Sequence, residues 1–186
     1  MTTVFTVGHS NFDWSTFQRL LDQAEVGVIL DVRSNPASRL PHFNRTALKE
    51  RLNAAGVGYV FLGLELGGRP RSGGVPDYER MAASQLFAEG IARIEEMAAR
   101  TRPALMCSEH EPLCCHRCLL VGRRLVERGV NVAHILRDGT IEPNGITEDR
   151  LLAITSQPEA DLLASRAERL AAAYRVQGLR IARARR

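Results

Sequence analysis

The sequence predicts an α/β fold: a mostly parallel five-stranded sheet with helices on both faces, followed by a C-terminal helical extension. Three observations lead there. Short apolar, β-branched runs alternate with segments of helical character, and such alternation builds crossover units around a parallel sheet. One run, Val26-Gly-Val-Ile-Leu-Asp-Val32, is almost continuously apolar, as a strand buried on both faces must be. Four of the apolar runs pass directly into polar loops, the place where open α/β sheets hold ligands.

Taken in order, Val4–Val7 is a β-branched run ending at Gly8 and forms the first strand. After His9-Ser10-Asn11, either Asn11 or Asp13 caps a helix carrying Trp14, Phe17, Leu20 and Leu21 on one side. The Val26–Val32 strand leads into the proline-containing loop Asp31–Arg39. Asn44 caps a helix over Arg45–Ala55, closed by Gly56. Tyr59–Leu62 is the third strand, followed by Glu65–Arg69 and a glycine- and proline-rich loop, Arg71–Pro76, with the character of a lid. Tyr78–Arg100 is predicted as one helix with Met81, Leu86, Ile91, Ile94 and Met97 inward. Pro103–Met106 is the fourth strand, Cys114–Gly129 a helix, and Val130–Leu136 the fifth strand. A Pro143-Asn-Gly145 turn then leads to one or two helices over Glu148–Tyr174, around Pro158. The domain division expected is 1–145 for the α/β domain with its loops and 146–186 for a helical extension with a basic tail.

At 186 residues the chain has room for one ordinary domain with a real core. Its hydrophobic and charged fractions, 45% and 25%, are those of a soluble protein. The N-terminus lacks a signal-peptide pattern and no apolar run spans a bilayer, so a cytoplasmic protein without membrane contact is expected. All four cysteines fall between Cys107 and Cys118, which excludes a disulfide framework spread over the fold and points to metal binding, catalysis or redox chemistry. The net charge is +4. Residues Arg175–Arg186 hold five arginines and no acid; this tail is either a solvated helix end or a nucleic-acid contact.

In a parallel sheet the carboxyl ends of the strands share one edge. His9–Asn11, Asp31–Arg39, Glu65–Arg69 and Cys107–Arg117 are therefore expected to converge. These loops also carry a resemblance. Gly8-His9-Ser10-Asn11, Asp31-Val-Arg33 with Pro36 and Ser38-Arg39, Leu66-Gly67-Gly68, Met106-Cys107-Ser108-Glu109 with Pro112, Cys115-His116-Arg117 and His134-Ile135 together resemble the bacterial domain-of-unknown-function family 488. The resemblance implies a compact cytoplasmic α/β domain with its emphasis on these loops. Cys114, Cys118 and His110 lie outside that pattern.

The residues admit several chemistries. Cys107, at a strand end with His116 and Arg117 near, suits a thiolate nucleophile; the bland alternative is a small buried residue. His9 or His116 would serve as acid or base, and Glu109 or Asp31 as the orienting carboxylate. Asp31 and Arg33 are expected on opposite faces of an extended segment, one reaching the site and the other bracing it, with a plain salt bridge as the alternative. Arg33, Arg39, Arg69 and Arg117 suit an anion held by bidentate contacts. Ser10, Asn11 and the Gly67-Gly68 backbone would assist them.

No cofactor is firmly indicated. Zinc is an alternative, with Cys107, Cys115 and His116 as ligands, although adjacent residues at a helix start diverge and the spacing gives no paired C-x-x-C. Cys115-His-Arg-Cys118 is formally a redox C-x-x-C, without thioredoxin-like flanks. The functional expectation is a hydrolase- or transferase-like enzyme with a cysteine nucleophile, acting on an anionic substrate such as a nucleotide or nucleic acid. The alternative is a nucleic-acid-binding module whose cysteine cluster is structural or zinc-binding. Oligomeric state is left open.

Overall fold

The computed structural model describes residues 3–70, 73–156 and 164–184. Its centre is a six-stranded sheet of β1 (Thr3–Gly8), β2 (Val28–Asp31), β3 (Gly58–Phe61), β4 (Pro103–Cys107), β5 (Asn131–Ile135) and β6 (Ile141–Pro143), in the order β3-β2-β4-β1-β5-β6. The first five are parallel. The sixth corrects the expected five: β6 runs antiparallel to β5, with Ala133 opposite Pro143 and Ile135 opposite Ile141. The turn between them is set by Asp138-Gly139, with Gly139 at φ 91° and Leu136 N–H donating to Thr140 O at 2.8 Å. A proline is tolerated in β6 because it is an edge strand.

Register levels the strand ends. Gly8 pairs with Cys107 and Asp31 with Met106, so the segments after β1, β2 and β4 start at one height on one edge. Two apolar layers hold the sheet from either side. Helices α1 (Trp14–Gln23) and α2 (Arg45–Ala54) cover one face, where Phe5, Val7, Ile29, Ala104 and Met106 meet Phe17, Leu21, Leu48 and Leu52. The other face places Val4, Val28, Leu30 and Leu105 against α3 (Gly63–Leu66), α5 (Gln85–Ala98) and α6 (Arg123–Glu127). Strand alternation produces this split directly, since successive side chains point to opposite faces.

Two expected helices are altered by local chemistry, while the first keeps one of its two expected caps. Asp13 is the cap of α1, accepting from Thr16 N–H at 2.7 Å. The single helix expected over 78–100 is instead α4 (Tyr78–Ala82) and α5, because Ser84 caps a new start by accepting from Phe87 N–H. The restart turns Leu86 outward, at 37% exposed, and Phe87 inward. The helix expected from Cys114 is broken too: a 3-10 turn covers Pro112–Cys114, Cys115 is extended at φ −137°, ψ 140°, and a π-helix runs over Arg117–Gly122 before α6. A π-helix is rare and often marks a functional region.

Beyond β6, α7 (Asn144–Ile154) starts where a turn was expected, and α8 (Arg166–Ala184) follows. Tyr174 and Ile181 of α8 pack with Leu151 of α7 over Leu113, Cys118 and Leu119. Among the described residues no helix is long and apolar enough to cross a membrane. Arg71 in the lid-like segment, Pro158, and Arg185 and Arg186 of the basic tail lie outside the described residues.

Candidate functional site

At the carboxyl edge of the sheet lies a cleft of about 270 Å³. Cys107 and His116 stand in its wall with Ser108 and Glu109. Arg33, Ser34, Asn35 and Ala37 come from the loop after β2, and Gly68 and Arg69 from the loop after α3. His9 is at the same edge, its N–H donating to Cys107 O at 2.9 Å, but its side chain faces elsewhere in the network described below.

The cleft floor is a sulfur–imidazole cluster. Cys107 Sγ lies 3.6 Å and Cys115 Sγ 3.8 Å from His116 Nδ1. The donor atoms of Cys107, Cys115 and His116 all fall within 4.8 Å of one another, and all three residues are buried. His116 Nε2–H donates to Val32 O at 2.9 Å, which fixes the ring and leaves Nδ1 with its lone pair facing the sulfurs. Adjacent residues 115 and 116 were expected to diverge as in a helix. They converge because Cys115 is extended. Packing closes the cluster further: a Cβ at Gly68 would come within 2.4 Å of the His116 ring.

Charge in the cluster is set by its neighbours. The hydrogen bond to Cys115, together with burial, pushes the Cys107 thiol well up. Against the cost of burial, the bond from Cys107 and the Arg117 charge pull Cys115 well below the ordinary thiol range. The pair thus shares one ionisation, favoured by a nearby guanidinium.

Arg117 itself is fully buried. Its Nε donates to Thr6 Oγ1 at 3.2 Å, Nη1 to Glu109 O, and Nη2 to His110 O at 2.8 Å. It therefore holds the 109–110 backbone over Gly8, where any Cβ would collide with the Glu109 carbonyl. Thr6 Oγ1 passes its own proton toward His134 Nδ1 at 2.8 Å, and His134 Nε2 donates to Asn144 Oδ1 at 3.1 Å. Burial lowers His134 to about 4, consistent with a neutral ring in this chain.

Arg33 is engaged differently. It grips Asp31 in a bidentate pair, Nε to Oδ1 at 2.9 Å and Nη2 to Oδ2 at 2.7 Å, and Nη1 donates to Phe43 O and to His9 Nε2. Tyr59 Oη donates to the same carboxylate at 2.8 Å. The expectation of opposite faces for Asp31 and Arg33 is corrected: residues two apart on an extended segment share a face, and here they form a buried salt bridge. His9 stacks on Phe43 at 4.3 Å and donates from Nδ1 to Ser10 O. Burial, then the Arg33 charge, lower it to about 4.

The remaining candidates sort by position. Arg69 lines the cleft with an exposed side chain, and its N–H is anchored on Ser34 Oγ at 3.0 Å. Gly67 packs against Gly63 O and Ser34 rather than opening to the cleft. Arg39 is exposed and does not line the cleft, nor do Ser10 and Asn11, whose side chains bond to each other. Cys114 is exposed and Cys118 is buried under α7 and α8, away from the cluster's metal-ligand geometry. Sequence reasoning missed Ser34, Asn35 and Ser108 as lining residues, Tyr59 as the second anchor of Asp31, and the Thr6–His134–Asn144 chain. A polar threonine inside an apolar strand was the available signal for the last.

The chain belongs to the family described as domain of unknown function DUF488, whose model matches residues 13–123, more than half of the chain. That span takes in the Asp31–Arg39, Gly67-Gly68 and Cys107–Arg117 loops. No curated protein and no solved structure matches the chain.

Proposed function

We propose that this member of the DUF488 family is an enzyme whose reaction centre is the Cys107–Cys115–His116 cluster at the floor of the 270 Å³ cleft. The observation that carries the reading is the convergence of two sulfurs on one oriented imidazole nitrogen at the wall of an open cleft. A purely structural cysteine has no need of an anchored histidine, a buried guanidinium nearby and access to solvent-facing space. The substrate is a small anionic molecule. Arg69 stands exposed at the rim and attracts the anion, and Glu109, which lines the wall, takes the part of proton acceptor in this reading. A hydrolytic or group-transfer reaction suits these groups. The pairing of Arg93, Arg123, Arg124, Arg128, Arg150 and Arg166 with acidic neighbours neutralises part of the basic surface a nucleic acid would use, and favours the small molecule. Four cysteines without a disulfide fit a reducing, cytoplasmic setting.

The test is alkylation of chelator-treated protein with iodoacetate and with iodoacetamide, each labelled position assigned by mass spectrometry. Cys107, the sulfur of the shared ionisation that lines the cleft, should react through its minor thiolate form, and the anionic reagent should be favoured over the neutral one in the wild type. Arg69→Ala should lower that preference while leaving the melting temperature unchanged, since exposed loop substitutions cost within about 0.5 kcal/mol. Labelling confined to exposed Cys114, with Cys107 inert to both reagents in folded protein, would remove the reaction centre.

A further inference from the structure

Resting on that reading of the cluster, we infer that Cys107, Cys115 and His116 are the protein ligands of a divalent transition metal, zinc foremost, whose fourth position opens to the cleft. Bond lengths of about 2.3 Å to sulfur and 2.0–2.1 Å to nitrogen put the sulfur–nitrogen edge of a tetrahedral zinc site at about 3.6 Å. The observed edges are 3.6 Å and 3.8 Å. The two sulfur–nitrogen edges therefore match a coordination shell, and the sulfur–sulfur edge is no longer than 4.8 Å.

A hydrogen-bonded cluster accounts for less. His116 Nδ1 has a single lone pair, yet two sulfurs stand at contact distance from it. One S–H can use that lone pair and the sulfurs can bond to each other, whereas a metal uses one lone pair from each of the three donors at once. The tautomer is also the ligating one: Nε2–H is committed to Val32 O, the second-shell carbonyl contact that orients metal-bound histidines. Soft thiolates with imidazole select zinc among common ions over magnesium or calcium, which prefer oxygen.

Three protein ligands mark a catalytic rather than a structural site. Cys107 and His116 line the cleft while Cys115 lies behind them, so the vacant side faces the substrate. Charge agrees. Two thiolates and one zinc ion sum to zero, and buried Arg117, bonded to a hydroxyl and two carbonyls, adds one positive charge beside them. An anion at the fourth position completes the balance, whether hydroxide or a group of the substrate.

The experiment is cobalt substitution of the full chain, followed by elemental analysis of protein purified with zinc. One equivalent of zinc is expected, and cobalt should give sulfur-to-metal charge-transfer absorption with the visible bands of tetrahedral geometry. Cys107→Ser and His116→Gln should lose both; Cys114→Ser should keep both. Zinc should also protect Cys107 from iodoacetate. Folded wild-type protein with no cobalt–thiolate absorption, or absorption that survives Cys107→Ser, would overturn the metal. If Cys107 of that metal-free protein still labels rapidly, the metal falls and the reaction centre stands. If neither absorption nor labelling occurs, both fall.

Discussion

Two arginines are buried at the same edge of the sheet, and the chain treats them in opposite ways. Arg33, 3% exposed, meets a carboxylate in full bidentate geometry, with Tyr59 anchoring that carboxylate from the other side. Arg117, fully buried, meets a threonine hydroxyl and two backbone carbonyls, all neutral. Burying a charge is costly unless it is paired. Arg33 is paired on the spot, so its role is to brace the loop after β2 against Phe43 and His9. Arg117 retains a positive charge that acts on its surroundings, and those surroundings are the sulfurs. The difference separates an arginine neutralised by a partner from one whose charge is left to its neighbours, among residues that look alike in sequence.

Breaking the Arg33 side should have the largest effect. Asp31→Asn leaves a buried guanidinium without its carboxylate, and loss of one partner of a buried pair costs about 3–5 kcal/mol. Urea denaturation should show this as a lower midpoint with an unchanged slope. The double variant Asp31→Leu/Arg33→Met should recover most of the loss. If the double variant is as unstable as Asp31→Asn, the pair is not a self-contained brace.

Acid sharpens the comparison next, because each network holds one neutral histidine. His9 and His134 are lowered from the ordinary 6.5 to about 4. A histidine with a depressed folded value binds more protons when unfolded, so stability is complete above about pH 6.5 and falls as pH drops toward 4. Each contributes about 3 kcal/mol over that window, at 1.36 kcal/mol per unit. Denaturation midpoints from pH 7 to 4 should fall steeply in the wild type. The fall should be shallower in His9→Gln and in His134→Gln, and a parallel fall in all three proteins would rule out this source.

The smallest effect belongs to Arg117 acting at a distance. In metal-free protein, Arg117→Met should slow iodoacetate labelling of Cys107 at neutral pH by about tenfold, since loss of a charge a few ångströms away raises a thiol pKa by about one unit or more. Asp31→Leu/Arg33→Met, with its charge already cancelled in the wild type, should leave the rate where it was. Equal slowing in both variants would erase the distinction between the two arginines.

The location of the site was legible because it follows from alternation. Apolar runs such as Val26–Val32 mark strands, polar segments after them mark one edge, and the parallel order places Gly8, Asp31 and Cys107 level. The antiparallel sixth strand was legible only in its turn. Asp138-Gly139 is a hairpin signal, but Ile-Glu-Pro is too short and too unlike a buried strand to be read as its partner. The break of the 78–100 helix was written in Ser84, which is a strong cap yet equally ordinary on a helix surface.

What the sequence determined by itself is what depends on near neighbours: strands, helices, the shared edge and the inventory of reactive groups there. What tertiary structure decided is the assignment of those groups. Arg117 reaches back to Thr6 across 111 positions, and His116 reaches Val32 across 84. Hydrogen-bond partners at such separations leave no trace in local periodicity. The extended backbone of Cys115 is a similar case, set between a 3-10 turn and a π-helix. It turns two adjacent residues that a regular helix would splay apart onto one point, and a cluster of two sulfurs and an imidazole results.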